Sequence, residues 1–443
     1  MKRLLLSIAL IFFLSTNVSA QNNKIKQLVN NDANRLIGVF KDLHKNPELA
    51  FMEVRTSGII EKELKALGFK TITGIAKTGL VGVLENGDGP VVMFRADMDC
   101  NSVKEITNLP YASDKTMKNS DGIEVPVMHA CGHDAHVTWL IGIDKTMVSL
   151  KKNWSGTLLL LAQPAEEPLT GAKAMVNDKM YTEKGVPVPD RLLGLHTWPI
   201  PVGKVKSGFG ARGAGSDQLD VTFYGIGGHG SKPESTIDPI LMACNAVLQY
   251  QTIISRNIGA QDAAVLHVGA INAGFENNVV PPSATVKINL RWFSEETRQI
   301  MLDKIQLINE GIALANGISN ENYPTINLKS TVPALKNDIS TVRIINAALL
   351  NNLMDEEDLI TDTPAIMGSE DFSHLIIDDR KTKSAFLFIG TANPKVYEKA
   401  VESGKEFPFY NHNGNYIVDL SSIPVGVEVG SAALISLFNE KNR

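Results

Sequence analysis

Three apolar runs in this chain each close on side chains that can do chemistry. Val91–Arg95 leads into Asp97-Met98-Asp99. Thr157–Ala162 ends at Gln163-Pro164-Ala165-Glu166-Glu167. Leu192–Leu195 ends at His196. Short apolar runs between Gly and Pro read as buried strands. Polar groups at the C-terminal ends of such strands fall where an open α/β sheet has its ligand crevice.

Between the first two runs lies Met128-His129-Ala130-Cys131-Gly132-His133-Asp134-Ala135-His136. It holds one of the chain's three cysteines and three of its nine histidines. Gly132 lets the backbone bend tightly, so Cys131 and His133 can converge on one point. A thiolate with an imidazole suits zinc and other borderline divalent metals. Taken alone, the stretch also fits a buried structural cysteine beside satisfied histidines.

The remaining pattern predicts two kinds of architecture. Helices are expected over residues 24–43, 54–67 and 134–150, and buried strands at 80–84 and 91–95. After about Gly213 the order becomes strand 219–223, helix 239–256, strands near 263–270 and 284–292, helix 295–316 and strand 324–330. That β-α-β-β-α-β order is the ferredoxin-like unit. Beyond residue 330 the α/β character returns, with a helix near 338–352, a strand at Phe386–Ile389 and a helix near 422–438. The expectation is residues 21–213 and 330–443 as one metal-binding domain, with 214–329 inserted into it. A chain of 443 residues exceeds what one core usually serves.

Lys2-Arg3, the apolar run Leu4–Leu14 and Val18-Ser19-Ala20 have the order of a secretory signal cleaved after Ala20. The run is too short to span a bilayer comfortably. An uncleaved anchor is the other reading. The expected location is periplasmic or secreted, with no membrane association after cleavage. Cys100, Cys131 and Cys244 are an odd set without framework spacing, so at least one thiol stays free or binds metal. A Cys100–Cys131 disulfide would remove a ligand. The net charge of −5 argues against a nucleic-acid footprint.

Asp97, Asp99, Cys131, His133, Glu166, Glu167 and His196 thus point at one site for one or two divalent cations. In an adjacent carboxylate pair, one member can bind metal while the other takes a proton from activated water. A solvated acidic turn is the bland alternative for Glu166-Glu167.

The chain resembles the M20 metallopeptidases, in particular the amidohydrolase branch of hippurate, N-acyl-amino-acid and auxin-conjugate hydrolases. The matching pieces are Leu43-His44-Lys45-Asn46-Pro47-Glu48-Leu49, Arg95-Ala96-Asp97-Met98-Asp99, Met128 to Asp134, and Gln163 to Glu167. Gly194-Leu195-His196-Thr197-Trp198-Pro199, Gly227-Gly228-His229-Gly230, Asn278-Val279-Val280-Pro281 and Gly368-Ser369-Glu370-Asp371-Phe372 follow in order. The resemblance implies a zinc-exopeptidase-like α/β/α catalytic domain carrying an inserted ferredoxin-like α+β lid that dimerises. It implies Cys131, His133, Glu167, His196 and His412 as metal ligands, for Zn, Mn, Ni or Co. Glu166 is implied as general base, with Asp99, His229 and Asn278 in the catalytic set. Arg291, Gly368 and Ser369 are implied on the substrate. The implied reaction is hydrolysis of an amide bond in an N-acyl or N-aroyl amino acid or small peptide. An aminopeptidase, dipeptidase or carboxypeptidase of the same family is the alternative, and an inactive binding protein on this scaffold a further one. A homodimer through the inserted domain is implied, with a small-molecule substrate and no nucleic-acid partner.

Read without the resemblance, His412 is a turn residue, Arg291 a strand-end charge and His229 part of a glycine-rich turn. Glu370 and Asp371 fit an acidic pair at a helix N-terminus and are not taken as ligands. His129 and His136 support the motif, His44 and Glu48 cap or pack the first helices, and His267 is a strand residue. The chain departs from the family at Cys100-Asn101-Ser102, where Ala-Leu-Pro is usual. It departs again at Ser231-Lys232-Pro233-Glu234, which lacks a second family histidine.

Overall fold

The computed structural model describes residues 2–351, 353–376 and 382–440, with side chains from Gln21 onward. The first helix is Lys2–Lys45. The side chains of residues 1–20, and with them the expected leader, lie outside the described residues. Among the described residues no helix is long and apolar enough to cross a membrane.

The chain divides into two compact units: residues 1–210, 336–364 and 374–443, and residues 211–335 with 365–373. The larger unit is built on an eight-stranded mixed sheet. Its order is Lys70–Ile75, Gly79–Asn86, Gly156–Gln163, Val91–Asp97, Arg191–Pro201, Lys383–Ala392, Val205–Lys206 and Leu359–Ile360. The four central strands, from Gly156–Gln163 to Lys383–Ala392, run parallel. Buried on both faces, they read as nearly continuous apolar runs, as Leu158–Ala162 and Val92–Phe94 do. Parallel direction puts Asp97, Gln163 and His196 toward the same end of the sheet.

Helices Lys2–Lys45, His133–Ser149, Ile339–Leu349 and Ser422–Phe438 pack among themselves, and the last three also pack onto this sheet. They contribute to one apolar cluster that includes Leu36, Phe40, Trp139, Leu195, Leu387 and Val427. Helix Val54–Ala66 shows how the sequence sets its own start. Glu48 accepts from the backbone N–H of Arg55 at 2.9 Å and of Thr56 at 2.8 Å, satisfying the first-turn donors. Glu48 is therefore a cap, as expected from its place before the helix.

The smaller unit has a four-stranded antiparallel sheet, ordered Val265–Ala273, Ser283–Trp292, Gly215–Tyr224 and Thr325–Val332. Helices Pro239–Asn257 and Glu295–Ala315 pack on it. Alternation along Gly215–Tyr224 sends Leu219, Val221 and Phe223 into this unit's own core. This is the predicted ferredoxin-like order. The expected boundary at residue 330 is corrected in one respect: residues 365–373 belong to the smaller unit. The reason is backbone pairing. Ala214 N–H donates to Ile366 and Gly368 carbonyls at 3.0 Å, and Ile366 N–H donates to Arg212 at 3.0 Å.

Candidate metal centre

The turn at Gly132 organises the first part of the site. Gly132 has φ +82° and precedes helix His133–Ser149. That left-handed turn places Cys131 and His133 on the same group of donor atoms. Cys131 Sγ lies 3.6 Å from His196 Nε2. Cys131, His133 and His196 each offer a donor within 4.8 Å of the others, and so do Cys131, Glu167 and His412. His412 Nε2 is 3.2 Å from Glu167 Oε2.

The orientation of each imidazole follows from the bond made by its other nitrogen. His133 Nδ1 lies 2.9 Å from the Asp99 carbonyl, and His133 Nε2 is buried without a hydrogen-bond partner. His196 Nδ1 lies 2.7 Å from the Thr197 carbonyl, leaving Nε2 toward Cys131. Glu167 Oε1 is likewise buried and unpaired. A buried unpaired nitrogen, a buried unpaired carboxylate oxygen and a thiol on one point fit a divalent cation. Burial, with the Glu167 carboxylate nearby, pushes the Cys131 thiol up to about 12, and burial, with the neighbouring His136 and His133, holds the His196 imidazole well below its usual range. Burial also pushes the Glu167 carboxyl up to about 7, against the lowering effect of His133. A bound cation favours thiolate and carboxylate.

His412 reaches the group from the far end of the chain. Its backbone N–H donates to the Ala130 carbonyl at 2.8 Å, and it adopts φ +64°. A non-glycine residue held in the left-handed region is characteristic of functional sites. Although 56 % of its side chain is exposed, its backbone is tied to the Cys131 turn.

Glu166 and Glu167 follow strand Gly156–Gln163. The nearest oxygen of each lies 3.8 Å from His133 Nε2. Asp99 holds them from behind. Its Oδ1 accepts from Glu166 N–H and its Oδ2 from Glu167 N–H, each at 3.0 Å. Asp99 also lies 3.3 Å from His133 Nδ1. Both of its oxygens are thus turned onto the chain itself, which makes Asp99 a holder of the glutamates.

His136 and His129 do not face the donor group. His136 Nε2 accepts from Thr197 N–H at 2.9 Å, so Nδ1 carries the proton donated to Asp97 Oδ1 at 2.5 Å. Asp97 takes Arg95 Nη1 on its other oxygen, also at 2.5 Å. His129 is buried with neither ring nitrogen hydrogen-bonded, and burial brings it down to about 4. His44 packs behind the motif, 2.6 Å from Asp134 and 3.2 Å from Glu105. Burial opposes its charge, but these two carboxylates outweigh it and bring the imidazole up to about 9.

The other expected residues lie in the smaller unit. His229 and Asn278 are neighbours there: Gly230 N–H donates to the Asn278 carbonyl at 2.8 Å, and strands Gly228–His229 and Val279–Val280 pair. His229 Nδ1 accepts from Ser231 N–H at 3.1 Å, which leaves the proton on Nε2. Arg291 Nε donates to Asn289 at 2.8 Å and Nη1 to Ser369 Oγ at 2.5 Å. Gly368 and Ser369 pair with Ala214 in the same unit. Glu370 accepts from Phe372 N–H at 3.0 Å. His267 is exposed on its strand.

Two residues of the larger unit escaped the sequence reading. Asn411 donates from Nδ2 to Cys131 Sγ at 3.3 Å. Glu53 accepts from Ala165 N–H at 2.9 Å. Their signals were position alone: Asn411 stands beside His412, and Glu53 follows the Asn46-Pro47-Glu48 piece.

The family profile described as Peptidase family M20/M25/M40 matches residues 93–432. The chain belongs to this family, and it is a metal-dependent amidohydrolase or peptidase. It is 36 % identical to the hippurate hydrolase of Campylobacter jejuni over 379 residues, 85 % of this chain and 89 % of that one. It is 33 % identical to an IAA-amino acid hydrolase of Arabidopsis thaliana over 340 residues, 76 % and 73 % of the two chains. The solved structure of the Bacillus subtilis YXEP protein, a dinuclear metal binding peptidase from the M20 family, superimposes with a TM-score of 0.73 at 25 % identity. It covers 93 % of this chain and 99 % of that one.

Proposed function

We propose that the chain hydrolyses the amide bond of N-acyl or N-aroyl amino acids, with Glu166 as general base. The observation that carries this reading is the convergence of Cys131, His133, Glu167, His196 and His412 beside the Glu166 carboxylate. The names of the hippurate and IAA-amino acid hydrolases support the substrate class.

A divalent cation held by those five residues supplies polarisation of the amide carbonyl and a lowered pKa for water. The mixed sulfur, nitrogen and oxygen donor set suits Zn, Mn, Ni or Co, as one ion or two. Glu166 takes a proton from the attacking water as its oxygen adds to the carbonyl carbon. It returns that proton to the leaving nitrogen as the C–N bond breaks. Asp99 keeps both glutamates in place through their backbone N–H groups. His229 and Asn278 are assigned to the carbonyl oxygen, and Arg291, Gly368 and Ser369 to the amino-acid end of the substrate. Dimerisation through residues 214–329 and export after cleavage at Ala20 complete the reading. Sedimentation and N-terminal mass spectrometry test those two.

The deciding experiment assays metal-loaded protein on a panel of N-acyl amino acids and dipeptides, alongside Glu166→Ala. The variant keeps its fold and metal and loses at least ~100-fold in kcat. Near-wild-type turnover removes the general-base assignment. A requirement for a free α-amine moves the substrate to peptides.

A further inference from the structure

We propose that Glu53 is a positioning residue that sets the conformation of the Ala165-Glu166-Glu167 turn and thereby the aim of Glu166. This rests on the reading of Glu166 as general base. Glu53 directly precedes helix Val54–Ala66, yet it does not cap that helix; Glu48 does. The Glu53 side chain is instead turned inward and fully buried. Its Oε1 accepts from Ala165 N–H and Phe51 N–H, each at 2.9 Å, and its Oε2 accepts from the Thr78 hydroxyl at 2.5 Å.

Both backbone donors belong to residues in the left-handed region. Ala165 has φ +50° and Phe51 has φ +60°. Neither is glycine, so each conformation needs surroundings that hold it. At Ala165 the hold is complete. Three consecutive N–H groups, those of Ala165, Glu166 and Glu167, go to carboxylate oxygens of Glu53, Asp99 and Asp99 in turn. Pro164 has no N–H to offer. Gly171 closes the opposite side, where a Cβ would lie 1.6 Å from the Pro164 carbonyl. Burial, with the Asp99 carboxylate nearby, pushes the Glu53 carboxyl up to about 7. An acid is thus kept in a place that disfavours its charge, and what it does there is hold the turn.

Loss of the Glu53 acceptor leaves Ala165 N–H buried and unpaired and frees the residue before Glu166 to leave the left-handed region. A shift of about 1 Å in a catalytic group can cost ~100-fold in rate. Glu53→Gln keeps the arrangement. Its amide oxygen accepts the two N–H bonds, and its NH₂ meets the Thr78 hydroxyl, which can accept as well as donate.

The test compares Glu53→Ala, Glu53→Gln and Thr78→Val in the full metal-loaded chain. It reads kcat and KM on the N-acyl amino acid hydrolysed best in the panel, metal content, and hydrogen exchange of peptides covering 164–171 and 131–140. Glu53→Ala is expected to lower kcat by ~10- to 100-fold, with KM and metal content unchanged and faster exchange confined to 164–171. Glu53→Gln restores both readouts. Thr78→Val, which removes only the pin on Oε2, gives a smaller change of the same kind should the alanine variant fail to fold. Wild-type kcat and exchange in Glu53→Ala overturn the inference. So does equal damage by Gln and Ala, or Thr78→Val exchange that rises as much at 131–140 as at 164–171. An active Glu166→Ala sinks the general-base reading instead, and the exchange data still judge what Glu53 holds.

Discussion

Gly132→Ala is the substitution whose effect follows most directly from the geometry. Gly132 sits at φ +82°, where an alanine costs about 1–2 kcal/mol. A Cβ there also lies 2.5 Å from Thr197 Oγ1 and 2.8 Å from its Cγ2. Thr197 cannot step back. It is fully buried, its hydroxyl donates to the Cys131 carbonyl and receives Tyr416 OH, each at 2.8 Å, and its N–H is bonded to His136. Overpacking of this kind adds about 1–3 kcal/mol, so the substitution should cost about 2–5 kcal/mol in total. Because the Cys131 carbonyl is one of the groups displaced, metal affinity should fall with stability. Gly185→Ala is the control: Gly185 has φ +79° with nothing within 4 Å of its Cβ position, so only the backbone cost applies. Urea unfolding of both apo variants, with metal content by chelator competition, makes the comparison. Equal stability losses in the two variants, or wild-type metal affinity in Gly132→Ala, would refute the reasoning.

Cys131→Ser should lose metal, because a serine hydroxyl is a poor substitute for a thiolate in this donor set; full metal content in the purified variant by elemental analysis removes the ligand role. His44 gives a pH test. Its folded pKa of about 9 lies above the unfolded value near 6.5, so its ion pairs stabilise the fold fully below pH 6.5. That contribution is lost as pH rises through 9. The melting temperature should fall between those limits, and His44→Gln should flatten the fall; an unchanged slope in the variant contradicts the charged state.

The parts of this molecule legible in its sequence are those where burial leaves a pattern. Leu158–Ala162 and Leu192–Leu195 are apolar without interruption because both faces of the central sheet are covered, and the polar residues at their ends mark the site. The sheet margins leave no such mark. Strand Lys70–Ile75 is largely exposed, and strand Val205–Lys206 has two residues. Helix Pro394–Glu402 is short and buries only Ala400, so burial leaves little trace there. Within the site, ligand types and spacing pointed to Cys131, His133 and the glutamates. Asp99 could be placed but its task could not, since that depends on which N–H groups its two oxygens meet. Glu53 and Asn411 act through contacts with residues 112 and 280 positions away, and no local pattern encodes them. The return of residues 365–373 to the smaller unit is hidden for the same reason.

The donor group is spread from residue 131 to residue 412 of 443, and this gives the site a place in time. During synthesis the thiol and His133 emerge first, Glu167 and His196 follow, and His412 arrives only after residues 197–411 have been made. The loop that carries it must then find the Ala130 carbonyl and the Cys131 sulfur across 280 positions of chain. A chain made only as far as His196 therefore carries four of the five proposed donors. A truncation short of Asn411 removes both the fifth donor and the amide that steadies the sulfur.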